Sequence, residues 1–137
     1  MARSSFPVEV LTPEGKVFED EVEMVSTRTS VGSIGILANH QPLLAMLNPT
    51  ELRLYKSESE VIRFAQGEGF LQMTGDRALV LVDEVFSVDD LNPSDLRDRL
   101  KRAEDELSGA EEGSEERRAA ERDRRRYEAF LKLAEGS

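Results

Sequence analysis

The chain has 137 residues, a formal net charge of −10 and no cysteine. Its length suits one domain, or one small domain with an appendage. The negative charge argues against binding nucleic acid or anionic lipid directly, and the absence of cysteine excludes disulfides and zinc–thiolate sites. The chain starts without the apolar segment of a secretory leader, and its longest apolar runs are too short to span a bilayer. We therefore expect a cytoplasmic protein that reaches a membrane only through a partner.

The first 87 residues predict short β-strands separated by turns. Phe6, Val8 and Val10 occupy alternate positions, as in a strand with one buried face, and similar segments follow at short intervals. Residues 78–82 form a continuous apolar run, which is typical of a strand buried on both faces or closing a core. Turn residues separate the segments, and no helical period is sustained. Residues 1–87 are thus predicted to form an antiparallel sandwich or a flattened barrel.

The last 50 residues change character and predict two helices. They carry 26 charged side chains, against 20 in the first 87 residues. Asn92, followed by Pro93, predicts the start of one helix, and Ser114 predicts the start of another after the break at residues 109–113. We expect residues 88–137 to form an antiparallel helical hairpin.

This hairpin is predicted to be weakly packed. Between residues 111 and 126 the only apolar side chains are those of Ala119 and Ala120. A buried alanine contributes far less than a leucine, whose burial is worth roughly 1.5–3 kcal/mol. We therefore expect a mobile regulatory element that can detach or straighten.

Residues 31–43, with the sequence VGSIGILANHQPL, contain the only histidine of the chain, His40. A histidine metal site would usually require a second histidine or a cysteine, and no nucleophile elbow is present for hydrolysis. A loop histidine near a turn is the favoured interpretation. Gly32, Gly35 and Asn39 suit turns or close backbone approach. We expect no catalytic residue, no metal and no cofactor.

A cluster of arginines in the second helix has two interpretations. Arg122, Arg124, Arg125 and Arg126 have the charge to bind phosphates, but neighbouring acidic residues favour a solvated helix face. An acidic patch on a partner protein is an intermediate possibility.

The order of these features resembles the epsilon subunit of bacterial F-type ATP synthases. The similarity begins at residues 10–15 and 17–25, is strongest at residues 32–43 (GSIGILANHQPL), and continues at residues 52–54, 69–73 and 78–83. It covers most of the chain.

The resemblance implies a ten-stranded N-terminal β-sandwich docked on the rotor stalk and a C-terminal helical hairpin. The protein would be non-catalytic, bind the gamma subunit and rest on the c-ring at the cytoplasmic face of the bacterial plasma membrane. The hairpin would either lie folded on the sandwich or extend along gamma towards the alpha and beta catalytic subunits, where it would restrain ATP hydrolysis.

Two sets of residues are candidates for these contacts. The rotor contact is expected at Gly32, Ser33, Ile34, Gly35, Ile36, Leu37, Asn39, His40 and Pro42. The regulatory arginines are Arg117, Arg118, Arg122, Arg124, Arg125 and Arg126.

The chain departs from the family pattern at several positions. Ser33 replaces a glutamate expected at the c-ring contact, and Ala38 replaces a proline. Some members bind ATP through an Ile/Leu-Asp-x-x-Arg-Ala motif at the start of the first helix. Here Asn92 replaces the acid and Asp95 replaces the arginine, so polyphosphate binding should be lost unless Arg97 is recruited by a register shift.

Two alternatives belong to other classes of protein. The first is a stand-alone adaptor in which the sandwich and hairpin bind an unrelated partner, and co-purification with a gamma-type subunit would distinguish it. The second is a small hydrolase using His40.

Overall fold

A computed structural model describes residues 4–136 and divides the chain between Ser87 and Val88 into two compact units. The first unit contains ten strands: β1 (Phe6–Thr12), β2 (Gly15–Val22), β3 (Met24–Thr29), β4 (Gly32–Leu37), β5 (Leu43–Leu47), β6 (Thr50–Tyr55), β7 (Val61–Gln66), β8 (Gly69–Thr74), β9 (Arg77–Val82) and β10 (Val85–Ser87). The predicted ten-stranded sandwich is confirmed.

The strands form two groups of five that meet at one bridge. One group has the order β4-β3-β6-β7-β10, and the other has the order β5-β8-β9-β1-β2. Thr29 of β3 pairs with Leu47 of β5 and joins the groups. The pairs are antiparallel except β1 with β9, which run parallel. This one pair departs from the antiparallel pairing of the predicted sandwich, because the two strands are distant in sequence and need no hairpin between them.

The core lies between the groups and collects the inward-facing side chains of both. Phe6, Val8 and Val10 of β1 are at most 1% exposed, as the alternation predicts. In β9, however, Ala78, Val80 and Val82 are buried whereas Leu81 is 43% exposed. The continuous apolar run of β9 is therefore not buried on both faces in this chain.

One buried polar side chain, that of Gln66, connects three segments of the sandwich. The carbonyl oxygen of its amide accepts a hydrogen bond from the Thr27 hydroxyl at 3.0 Å, and its amide nitrogen donates to the Asn48 backbone carbonyl at 3.1 Å. Gln66 is fully buried and Thr27 is 3% exposed. Since a buried polar group is costly without partners, this network fixes how β7, β3 and the β5–β6 turn meet.

The second unit contains a 3-10 turn (Val88–Asp90) and two helices, α1 (Pro93–Gly109) and α2 (Glu115–Ala134). Both predicted caps are confirmed. The Asn92 side chain accepts from the Asp95 backbone N–H, and the Ser114 hydroxyl accepts from that of Arg117, each at 3.1 Å. The helices pack against each other, with Ala103 of α1 and Ala120 of α2 buried.

Phe130 of α2 is 1% exposed, and the sequence pattern did not single it out. Tyr127 and Leu131, the large side chains near it on α2, are half-buried. Phe130 is thus the one large, fully buried side chain of α2, and the hairpin has more apolar packing than its alanines alone indicate.

We predict that Thr27→Val destabilises the sandwich by about 1–3 kcal/mol, because the Gln66 carbonyl is left buried without its donor. The double variant Thr27→Val/Gln66→Leu should cost less than the sum of the two single changes. Urea denaturation, monitored through the NMR amide resonances of the sandwich, measures both effects. Strict additivity, or a single-variant loss below about 0.5 kcal/mol, would contradict the assigned network.

Candidate functional site

Most of the predicted rotor-contact residues lie on β4, which pairs only with β3 among the described strands. Ile36 is fully buried, and Ile34 packs against the core from a partly buried position. These two side chains therefore hold the strand on the sandwich. The side chains of Ser33 and Leu37 point the other way; both residues and Gly35 between them are exposed, with Leu37 at 45%.

The turn after β4 contains the remaining predicted contacts. Asn39 has a φ of 64°, a conformation that asparagine tolerates better than most residues. The His40 backbone N–H donates to the Leu37 carbonyl at 3.2 Å. The His40 ring nitrogen Nδ1 lies 2.8 Å from the Gln41 carbonyl, which only accepts, so Nδ1 carries the proton. Pro42 is exposed at the end of this turn.

The hairpin between β3 and β4 presents Val31 at its tip. Val31 is 94% exposed, the highest value among the large apolar side chains described. The Thr29 hydroxyl organises this tip: it accepts from the Val31 N–H at 3.2 Å and donates to the Gly32 carbonyl at 2.9 Å. Gly32 has a φ of 135°, which a residue with a side chain rarely adopts. The tip is therefore an ordered, uncharged projection.

Neither His40 nor its surroundings provide a metal site. Within residues 4–136, no group of three or more histidine, cysteine or acidic side chains has the geometry to hold a metal ion.

A second surface, which the sequence analysis did not identify, is an apolar row across the outer face of the sandwich. Met46 of β5 lies opposite Phe70 of β8, Phe70 lies opposite Leu81 of β9, and Leu81 lies beside Leu11 of β1. Met46 is 61% exposed, Phe70 46% and Leu81 43%. We call Met46, Phe70, Leu81 and Leu11 the apolar row. Leu44, two positions from Met46 on β5, is 68% exposed and extends the apolar surface.

A signal for this surface was present in the sequence. Residues 43–47 and 78–82 are apolar at consecutive positions, so both faces of these strands are apolar. A single sandwich core covers only one face of each strand.

The predicted regulatory arginines divide into two groups on α2. Arg118, Arg122 and Arg125 are exposed, and their spacing of four and three residues places them on one face of the helix. Arg117 and Arg126 make contacts within the hairpin instead. Arg126 donates to Asp123 at 2.8 Å and lies 5.2 Å from the centre of the Tyr127 ring. Arg124 is half-buried and lies 3.9 Å from Glu128.

The start of α1 offers no evident anion site. The Asn92 side chain caps the helix, and the Asp95 carboxylate accepts a hydrogen bond from the Arg99 guanidinium at 2.9 Å. Both side chains therefore already have partners within the helix. A hydrogen bond with the Tyr127 side chain, and after it the negative charge of Asp95, raise the pKa of the Arg99 guanidinium above its ordinary value. A cleft of about 210 Å³ between the helices is lined by Arg99, Arg102, Ala103, Glu106, Asp123 and Tyr127. Its two guanidinium groups are balanced by two carboxylates.

Comparison with known proteins identifies the family of the chain. Residues 5–88 match the family model for the β-sandwich domain of ATP synthase delta/epsilon chains. The epsilon chain of Sulfurihydrogenibium sp. is 37% identical over 129 residues, covering 94% of this chain and 96% of that relative. The epsilon chain of Persephonella marina is 38% identical over 130 residues, with the same coverage.

Two solved assemblies contain chains of the same fold. A chain of the Euglena gracilis mitochondrial ATP synthase structure (OSCP/F1/c-ring) superposes with a TM-score of 0.79 at 16% identity, covering 95% of this chain and 81% of that one. A chain of the Tetrahymena thermophila mitochondrial ATP synthase central stalk and c-ring structure gives a TM-score of 0.63 at 16% identity, with coverage of 98% and 99%.

The sandwich is thus that of the delta/epsilon class of ATP synthase subunits. The chain belongs to the epsilon chain family, which confirms the resemblance found in the sequence. It is a non-catalytic subunit of the ATP synthase central stalk. Neither of its helices, over the described residues, is long and apolar enough to cross a membrane.

We predict that the isolated chain does not bind ATP with micromolar affinity, because Asp95 stands where ATP-binding members place a cation. Calorimetric titration with Mg-free ATP measures this. A matched variant, Asn92→Asp/Asp95→Arg, restores the two motif positions and should gain affinity relative to the natural chain. Micromolar binding by the natural chain would contradict the prediction.

Proposed function

We propose that the sandwich docks on the gamma subunit through the apolar row. The row crosses four adjacent strands of one sheet, so its side chains form a continuous surface. Apolar side chains at the centre of an interface are the usual source of binding energy, and full burial of one is worth roughly 1.5–3 kcal/mol. The row therefore suits a permanent contact in a rotor that transmits torque.

The edge of the sandwich around β4 is the proposed contact with the c-ring. The ordered tip at Val31 and the exposed side chains of Ser33, Leu37 and Pro42 provide its outer surface. Ile34 and Ile36 hold it in place from inside, and Asn39 shapes the turn that carries His40. Because Ser33 has no charge, this contact depends on apolar and hydrogen-bonding groups rather than an ion pair at that position.

These contacts would place the protein at the cytoplasmic face of the bacterial plasma membrane, held there by the complex. Two observations support this placement: the relatives are ATP synthase epsilon chains of bacteria, and the acidic chain is unsuited to anionic lipid.

The helical hairpin is the proposed regulatory element. In its extended form, α2 would carry its basic face towards acidic surfaces of the alpha and beta subunits and restrain ATP hydrolysis. The exposed Arg118, Arg122 and Arg125 support this role best, since they share one face and are presented to solvent.

Replacement of Phe70 by alanine is expected to weaken binding of the chain to isolated gamma subunit by about tenfold or more, since a half-exposed aromatic side chain becomes fully buried at the interface. Phe86→Ala is the matched control, because Phe86 is 43% exposed, close to the 46% of Phe70, but lies on β10 outside the row. Surface plasmon resonance with immobilised gamma measures both. Equal effects of the two changes would argue against the row as the docking face.

Replacement of Arg118, Arg122 and Arg125 by glutamine should weaken the restraint on ATP hydrolysis in the assembled enzyme. Deletion from Val88 onward removes the whole hairpin and sets the upper limit for loss of this restraint. Assembly and proton-driven ATP synthesis should be retained in the deletion. The control carries Arg97→Gln, Lys101→Gln and Arg102→Gln, three exposed positions, and removes as much charge from α1. Unchanged hydrolysis after the deletion would show that this hairpin is not an inhibitor.

A further inference from the structure

The C-terminal end of α1 has no stabilising positive charge of its own. The last carbonyls of a helix lack intrahelical partners and carry partial negative charge, so cations stabilise this end. The last turn of α1 contains no basic residue. Instead, the acidic residues Glu104, Asp105 and Glu106 come shortly before its end at Gly109. Nothing on α1 itself therefore offsets the negative potential of its terminus.

Arg117 of α2 provides the missing cation. One of its terminal guanidinium nitrogens donates to the Leu107 carbonyl at 3.2 Å and lies 3.5 Å from the Ala110 carbonyl. Its Nε lies 3.4 Å from Glu121, and the side chain is 32% exposed. Hydrogen bonds from a charged donor are stronger than neutral ones, and partial burial reduces screening by salt. The guanidinium thus caps a helix to which it does not belong.

This contact exists only while the helices are folded back on each other. If residues 93–134 straightened into one helix, Leu107 and Arg117 would be ten residues apart, about 15 Å along the axis. The guanidinium would then lose the α1 carbonyls. A contact present in one state and absent in the other shifts the equilibrium between them.

The connection between the helices permits both states. Gly113, just before α2, has a φ of 77° in the folded hairpin, and glycine can also adopt a helical conformation. At the open end of the hairpin, Arg97 pairs with Glu135 at 3.1 Å, but both side chains are at least half exposed. Such exposed pairs contribute little. Arg99 of α1 also contacts the Tyr127 ring of α2, at 6.0 Å from its centre. The contact of Arg117 lies at the other end of the hairpin, next to the turn that must open for the helices to straighten.

We propose that Arg117 is a latch that holds the hairpin folded by capping the C-terminus of α1, and that its release accompanies extension of α2. The link to regulation rests on the proposed inhibitory function, whereas the latch itself concerns the hairpin alone. Arg117 consequently has a different role from Arg118, Arg122 and Arg125, which face solvent in the folded state.

The latch can be tested in the isolated full chain through a unique thiol. The sequence contains no cysteine, so Ala120→Cys places a single thiol at a position that is fully buried in the folded hairpin. The rate of its modification by a thiol reagent reports how often the hairpin opens. Arg117→Gln should raise this rate by about five- to tenfold, as expected for loss of a partly buried charge at a helix C-terminus.

Arg118→Gln is the matched control, because it removes the same charge from the neighbouring position. The Arg118 guanidinium contacts Glu115 of its own helix and is 60% exposed. Arg118→Gln should leave the rate of thiol modification within about twofold of that of the Ala120→Cys protein, because an exposed ion pair contributes little to stability. A thiol at Ala103, on the opposite helix, should report the same ratio. Equal rates for the two arginine variants at both thiols would overturn the latch.

Hydrolysis by the assembled enzyme then separates the latch from the proposed inhibition. If Arg117→Gln accelerates thiol modification and also deepens the restraint on hydrolysis, the latch controls an inhibitory extension. If modification accelerates while hydrolysis stays unchanged, the latch is supported and the inhibitory function fails.

Discussion

The alternation of side chains along a β-strand is the constraint on which the sandwich depends. Each strand sends successive side chains to opposite faces, and a two-layer sandwich has one core to receive one of those faces. Ala78, Val80 and Val82 satisfy this arrangement by entering the core, which leaves Leu81 outside. The same register aligns Met46, Phe70 and Leu81 across neighbouring strands. The core and the proposed docking face are therefore two consequences of one pairing pattern.

The apolar outer face of the sandwich suits a chain that binds partner subunits. An exposed apolar patch is a liability for a protein that acts alone and an asset for a subunit of a permanent assembly. The buried Gln66 network adds a polar contact that specifies how the strands meet. The sandwich thus combines a core with an internal polar contact and an apolar outer face that suits the proposed docking on gamma.

The helical unit, in contrast to the sandwich, has little apolar packing. The buried side chains of its two helices are one leucine, two alanines and one phenylalanine, so the free energy that holds it folded is small compared with that of the sandwich core. With so few strong contacts, a single guanidinium can change the balance between folded and extended forms. Arg117 connects the two helices at the turn, while the basic face of α2 remains accessible to partners.

The sequence by itself determined the class of fold, the family, both helix caps and the change of character near Ser87, because these depend on local spacing and residue type. It also identified the turn around Asn39 and His40. Only the tertiary structure decided the parallel pairing of β1 with β9, the burial of Ile36 and Phe130, and the apolar row, since these arise from residues far apart in the chain. The separate role of Arg117 was likewise invisible in the sequence. Six arginines look alike in a charged helix until the neighbouring helix shows which one reaches its terminal carbonyls.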